Sequence, residues 1–112
     1  MIEKCASEDG IDSRALYAPC LRYRYGLERR WSDGPAVLWV MLNPSTASEV
    51  ANDPTIERCQ RRSVALGFGT MRIANLFAWR ATRPADLARA KEPVGAANDD
   101  ILRAWAAEAD IV

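Results

Sequence analysis

The sequence predicts an α/β fold, namely a three-layer α/β/α domain with a largely parallel central sheet and an N-terminal antiparallel hairpin, truncated at its C-terminal end. Three observations predict it. Residues 36–42 (AVLWVML) are apolar on both faces, as in a central strand covered from two sides. A helical pattern and then a second alternating strand follow, which is the order of a right-handed parallel crossover. The chain closes on Asp110-Ile111-Val112 after a last helical pattern, which reads as the first residues of a further strand.

The 112 residues suffice for one domain, and 49% hydrophobic with 27% charged residues is a globular composition. Residues 1–20 read as a partly flexible N-terminal segment, and residues 21–112 as one incomplete α/β domain. In "CLRYRYGLERRW", Leu21, Tyr23, Tyr25 and Leu27 alternate with Arg22 and Arg24, and later Arg29, as in a strand with one wet face. Ser32-Asp33-Gly34-Pro35 has the composition of a tight turn, so this strand and residues 36–42 are expected to pair antiparallel.

Asp53 followed by Pro54 starts a helix whose inward residues include Ile56, Cys59 and Ser63, and Gly67 or Gly69 ends it. "TMRIANLFAW" alternates again, with Met71, Ile73, Asn75 and Phe77 on one side. "RPADLARAKE" gives a short helix opened by Pro84. "AANDDILRAWAAEA" gives a longer one, with Asn98 as its cap and Ile101, Leu102, Trp105 and Ala109 at helical spacing.

Lys plus Arg and Asp plus Glu number 15 each, so net charge gives no case for nucleic acid or membranes, and the arginines concentrate in the middle of the chain. Cys5, Cys20 and Cys59 are odd in number and widely spaced, which fits neither a disulfide framework nor zinc. With no histidine, Ser-His-Asp and Cys-His catalysis and histidine metal sites cannot be built, so no metal and no cofactor are expected. No run reaches the roughly 18 apolar residues of a membrane span. The first residues lack a signal-peptide core, which leaves the cytoplasm as the default.

In an open α/β sheet, ligands bind beyond the carboxyl ends of parallel strands. The two best-marked strands end at Asn43 and near Asn75, so "NPSTAS", the start of the Asp53 helix and "NLFAWRAT" are expected to line one cleft. Pro44 stiffens the loop that presents Asn43. Ser45 and Thr46 offer hydroxyls and N–H groups to an anion, and Asn75 can read a planar amide or nucleobase edge. Arg80, near Thr82, can hold a phosphate or carboxylate, and Phe77 or Trp79 can stack on a base. Against this, Asn-Pro-Ser-Thr is also ordinary turn chemistry, Asp53 before Pro54 a helix cap, and Arg58, Arg61 and Arg62 a solvated face.

"VMLNPSTA", "NDPTIERC", "GFGTMRIANLFAWRAT" and "EPVGAANDD", in this order, closely resemble the bacterial and phage family called domain of unknown function 1643. The resemblance implies a longer domain with further strands and a His-Pro motif that this chain lacks. A second partner copy completing the sheet would be one remedy. A fainter likeness is similar to the uracil-DNA glycosylase superfamily: an apolar strand ending in Asn-Pro, then a strand ending in Asn with an Arg before Pro. That likeness implies a nucleotide or DNA ligand, Asn43 as the catalytic group positioning water, and Asn75 reading the base. The superfamily's aromatic platform has no counterpart in "EVANDPTIERCQRR", and its late histidine is absent, so this chain as it stands is expected to be inactive as a glycosylase. The alternatives are a non-catalytic base-binding module and a fold whose polar strand ends are turns.

Overall fold

Two Asp-Gly dipeptides compete for the hairpin, and the one that wins is not the one the strand pattern favours. In the computed structural model, which describes residues 1–112, strands β1 (Ile2–Glu8) and β2 (Ile11–Tyr17) pair antiparallel around Asp9-Gly10. Both turn residues have positive φ, 53° and 78°, the geometry that matches the twist of a two-residue hairpin. Strands Ile2–Glu8 and Ile11–Tyr17 thus belong to the same sheet as the rest of the chain.

Strand β3 (Arg24–Arg30) continues the meander against β2, and β4 (Ala36–Met41) follows the Ser32–Pro35 turn. The expected β3–β4 hairpin does not form, because β5 (Thr70–Asn75) enters between them. The turn wraps around Gly69: its carbonyl accepts from Trp31 and Ser32, and its N–H donates to the Pro35 carbonyl at 2.8 Å. A Cβ on Gly34 would meet the Gly69 nitrogen at 2.9 Å, so the absence of side chains lets the two backbones touch.

The sheet runs β1-β2-β3-β5-β4. Only β4 and β5 are parallel, and the other three pairs are antiparallel. This overturns the expectation of a three-layer domain with a largely parallel sheet: the sheet is mixed and mostly antiparallel, with few and short helices. The crossover from β4 to β5 through α1 (Pro54–Ala65) does form as a parallel unit. Asp53 caps α1 through Oδ1, which accepts from the Ile56 N–H at 2.9 Å.

Strand alternation sorts the core into two faces. Helix α1 covers one, where Ile56 and Cys59 pack with Tyr17, Leu27, Val37, Met71 and Ile73. Helix α3 (Asn98–Glu108) covers the other, where Trp105 packs with Leu16, Tyr25, Leu38 and Ala74. Asn98 is not the cap of α3 but its first residue, fully buried. Helix α2 (Pro84–Arg89) is a short turn with no buried residue.

The wet face read into β3 is dry at Arg24 and Arg29, which are 1% and 4% exposed. At Arg29 this is ordinary alternation with inward-facing Leu27, and at Arg24 the cause is a bulge: Leu16 pairs with Gly26 and Tyr17 with Arg24, leaving Tyr25 as the extra residue. Parity slips by one there, so Arg24 joins Leu27 and Arg29 on the α1 face. Beyond α3, Ile111 forms a parallel bridge to Val37 on the outer edge of β4, and the Leu38 N–H donates to its carbonyl at 2.8 Å. No helix is long and apolar enough to cross a membrane.

Candidate functional site

Because β4 and β5 are parallel with Met41 opposite Asn75, both strands end at one rim and their following loops leave together. The N–H groups of Leu76, Phe77 and Ala81 donate to the carbonyls of Met41, Leu42 and Pro44, each at 2.9 Å. Asn43 ties into this seam: its Nδ2 donates to the Pro44 carbonyl at 3.0 Å and the Ala81 carbonyl at 2.8 Å. Two carbonyl acceptors fix which end of the amide is nitrogen, so Oδ1 faces away from the seam as a free acceptor.

The loop between β4 and α1 lies on the α1 face, with Pro44 and Ala47 buried. Three arginines clasp it, mostly through main-chain carbonyls. Arg24 donates to Ala47 at 2.8 Å, Arg80 to Ser45 at 3.5 Å, and Arg29 to Ser48 and Ala51 as well as to Asn52 Oδ1 at 3.0 Å. None of the three forms a contact ion pair, and the acids nearest in effect, Asp53 for Arg24 and Glu49 for Arg29, act on them without a direct bridge.

Burial drops the pKa of Arg24 to about 10, against the opposing pull of Tyr17 and Asp53, and burial likewise lowers that of Arg29. Tyr17, whose hydroxyl donates to Glu49 at 3.1 Å, has its phenol raised, first by burial and then by the Glu49 charge. The Arg80 guanidinium lies 5.5 Å from the Tyr17 ring centre.

Asn75 ends β5 on this same face, following Met71 and Ile73 at alternate positions. It is 1% exposed, and neither its Oδ1 nor its Nδ2 has a hydrogen-bond partner. An amide buried without partners costs roughly 1–3 kcal/mol. Arg24 Nε and Asn98 Oδ1 are likewise buried without a partner. The rim thus holds a buried amide with neither polar atom paired and a buried cation that spends one bond on the Ala47 carbonyl.

Arg80 reaches outward into a groove of about 410 Å³ that it lines with Arg22, Trp79, Thr82, Asp86 and Arg89. A larger cavity of about 460 Å³ lies between the β1–β2 hairpin and residues 49–52. Neither is lined by Asn43 or Asn75.

The structure brings Asn43, Pro44, Ser45, Arg80 and Thr82 together, with the Ser45 hydroxyl 3.4 Å from that of Thr82. Thr46 is exposed, and Phe77 is half-buried beyond the strand end. Asp53 spends both oxygens on backbone, accepting from Ile56 and, at 3.3 Å, from the Ala47 N–H, so it holds the loop against the helix rather than offering a free carboxylate. Arg24 and Asn98 lie near the rim, whereas Arg29, opposite Met71, anchors the far part of the loop at Ser48–Asn52, and the sequence pattern missed all three. Asn98 Nδ2 donates to the carbonyls of Asn75 at 2.8 Å and Leu76 at 3.2 Å, a contact between distant segments that no local signal announces. No group of three or more His, Cys, Asp or Glu side chains is placed to hold a metal ion.

A family model described as "Protein of unknown function (DUF1643)" matches residues 24–112. Neither the curated proteins nor the solved structures include a match to the chain, so nothing in these comparisons supports the likeness to glycosylases.

Proposed function

Since the chain belongs to the DUF1643 family, whose description assigns no activity, we propose from the site alone that it binds a nucleotide or nucleobase at the shared end of β4 and β5. The observation that carries this is the Asn75 amide, sealed at 1% exposure with both polar atoms unpaired. A primary amide at a strand end offers one donor and one acceptor side by side, the pattern that matches the edge of a pyrimidine or purine. Arg24 and Arg80 supply positive charge at the same rim for the phosphate. Ligand entry lifts the loop over residues 44–52, whose carbonyls the arginines release in exchange for phosphate oxygens.

The test is a titration of isotopically labelled protein with nucleosides and nucleoside monophosphates, followed by the side-chain amide resonances of Asn75. A shift of those resonances is the expected result, together with loss in Asn75→Leu of the ligand-induced shifts of the backbone amides around the rim. Unmoved resonances across all bases exclude the reading.

One observation favours a hydrolytic version, in which an N-glycosidic bond is cleaved. The Asn43 amide is held at its nitrogen by two carbonyls, which leaves Oδ1 to orient a water. The test is base release from a nucleoside or DNA panel by a longer version of the protein that carries the family's further strands, with Asn43→Ala abolishing it. Binding without release leaves the non-catalytic module.

A further inference from the structure

We propose that the groove lined by Arg22, Trp79, Arg80, Thr82 and Arg89 seats the backbone of a single-stranded nucleic acid, one base of which stacks on Trp79. The proposal deepens the base-binding reading, since Arg80 belongs to both places. Its geometry comes from an extension of the sheet beyond β3. Tyr23 bridges to Trp79, and the Arg80 N–H donates to the Arg22 carbonyl at 2.9 Å, so residues 22 and 80 emerge side by side. Arg80 Nη1 also donates to the Leu21 carbonyl at 3.4 Å, which holds its guanidinium at the mouth of the groove. The opposite wall is α2, which adds Arg89.

Three arginines thus face one acid, Asp86, and that carboxylate is already engaged by Arg83 at 3.3 Å outside the groove lining. Arg22 and Arg89 are exposed and form no ion pair. An excess of unpaired arginine in a concave strip attracts phosphate, and guanidinium forks match its oxygens.

The aromatic contact selects for a strand with unpaired bases. The Arg22 guanidinium rests 4.7 Å from the Trp79 ring centre, flat cation on flat ring, and Tyr23 meets the same indole edge-on at 5.3 Å. One face of the indole is thus met by an exposed side chain. A base sliding under Arg22 exchanges a cation–π contact for base stacking and frees the guanidinium for the adjoining phosphate. Bases in a duplex are already stacked on one another and have no face to offer, so a single strand fits where a double helix does not. The cavity of about 410 Å³ lies at the small end of ligand sites, roughly 300–1,000 Å³, which suits a short stretch of chain.

The experiment measures binding of a fluorescent ten-residue oligothymidylate by anisotropy over a series of salt concentrations, with thymidine monophosphate, inorganic phosphate and a duplex of the same length as competitors. Each phosphate neutralised on a single strand contributes about −0.7 to the slope of log K against log salt, so three arginines give a slope of about −2. Arg22→Gln and Arg89→Gln, both at exposed positions, are each expected to make the slope shallower by about 0.7 and to weaken binding several-fold. The oligonucleotide should outcompete the monophosphate, free phosphate and the duplex. Equal binding of duplex, equal binding of the monophosphate, or a slope unchanged in both variants overturns the proposal. The Asn75 resonance shift with nucleosides persists in Arg22→Gln and Arg89→Gln, so loss of the groove and loss of the base site are read separately.

Discussion

The Asn98 side chain, on α3, donates to the main-chain carbonyl of Asn75 across 2.8 Å, while the Asn75 side chain lies on the opposite face of the sheet. One asparagine holds the strand end that presents the other. The expected outcome of Asn98→Ala is a loss of about 1–3 kcal/mol, because the buried Asn75 carbonyl and the part-buried Leu76 carbonyl lose their donor. Chemical denaturation checks it through the midpoint at constant slope.

Asn75→Leu should act in the opposite direction on stability. Leucine has similar volume and no polar atoms, so removing an amide that has no partner should stabilise the protein by about 1–3 kcal/mol. The same variant should lose nucleobase binding. A gain in stability paired with a loss of binding is the signature of a residue kept for a ligand; a destabilised variant would mean that Asn75 is satisfied within the fold.

Two buried arginines should respond differently to the same change. Arg24 spends only one bond on the fold and leaves Nε unsatisfied, so Arg24→Met is expected to be neutral within about 1 kcal/mol or stabilising. Arg29 anchors Ser48, Ala51 and Asn52 together, so Arg29→Met should cost about 2–3 kcal/mol and expose the loop to proteolysis. Unfolding midpoints and protease sensitivity of the two variants, compared side by side, settle the contrast.

Gly26 is required by shape. A Cβ there would overlap the ring of Trp105, which lies flat over it. Gly26→Ala should destabilise by about 1–3 kcal/mol. The penalty should largely vanish in a Trp105→Leu background, and a double-mutant cycle measures that coupling.

Glu57 carries the clearest acid dependence. Hydrogen bonds from Asn52 and then Arg61 hold its carboxyl below the ordinary value of 4.5. A depressed carboxylate contributes stability that is present above the unfolded value and is lost as pH falls through the folded one. Wild type should therefore weaken below about pH 5, and Glu57→Gln should show a shallower decline over the same range. Parallel acid limbs for the two proteins would contradict this.

The parts of the fold that could be read from the residues are those set locally. Asp53 and Pro54 announced α1, the unbroken apolar run announced β4, and the alternation ending at Asn75 announced β5. What escaped was decided by contacts between distant segments. The Asp33-Gly34 turn looked like a hairpin because nothing nearby reveals that Gly69 will slot into it. The parallel reading of the sheet failed for the same reason, since β5 pairs antiparallel with β3 on its other side.

At the rim, Asn43, Arg80 and Asn75 were visible as polar residues interrupting apolar runs. Arg24 was hidden by the Tyr25 bulge, which reverses the parity on which a period-two pattern depends.

The place of β5 has a consequence for the order of assembly. The first three strands form a meander of neighbours and can zip up as they leave the ribosome. Strand β4 has no strand beside it until residues 70–75 have been synthesised and have closed on β3, Leu27 opposite Ile73. Docking that late strand completes two ladders at once, the antiparallel one with β3 and the parallel one with β4, so both depend on closing a long stretch of chain.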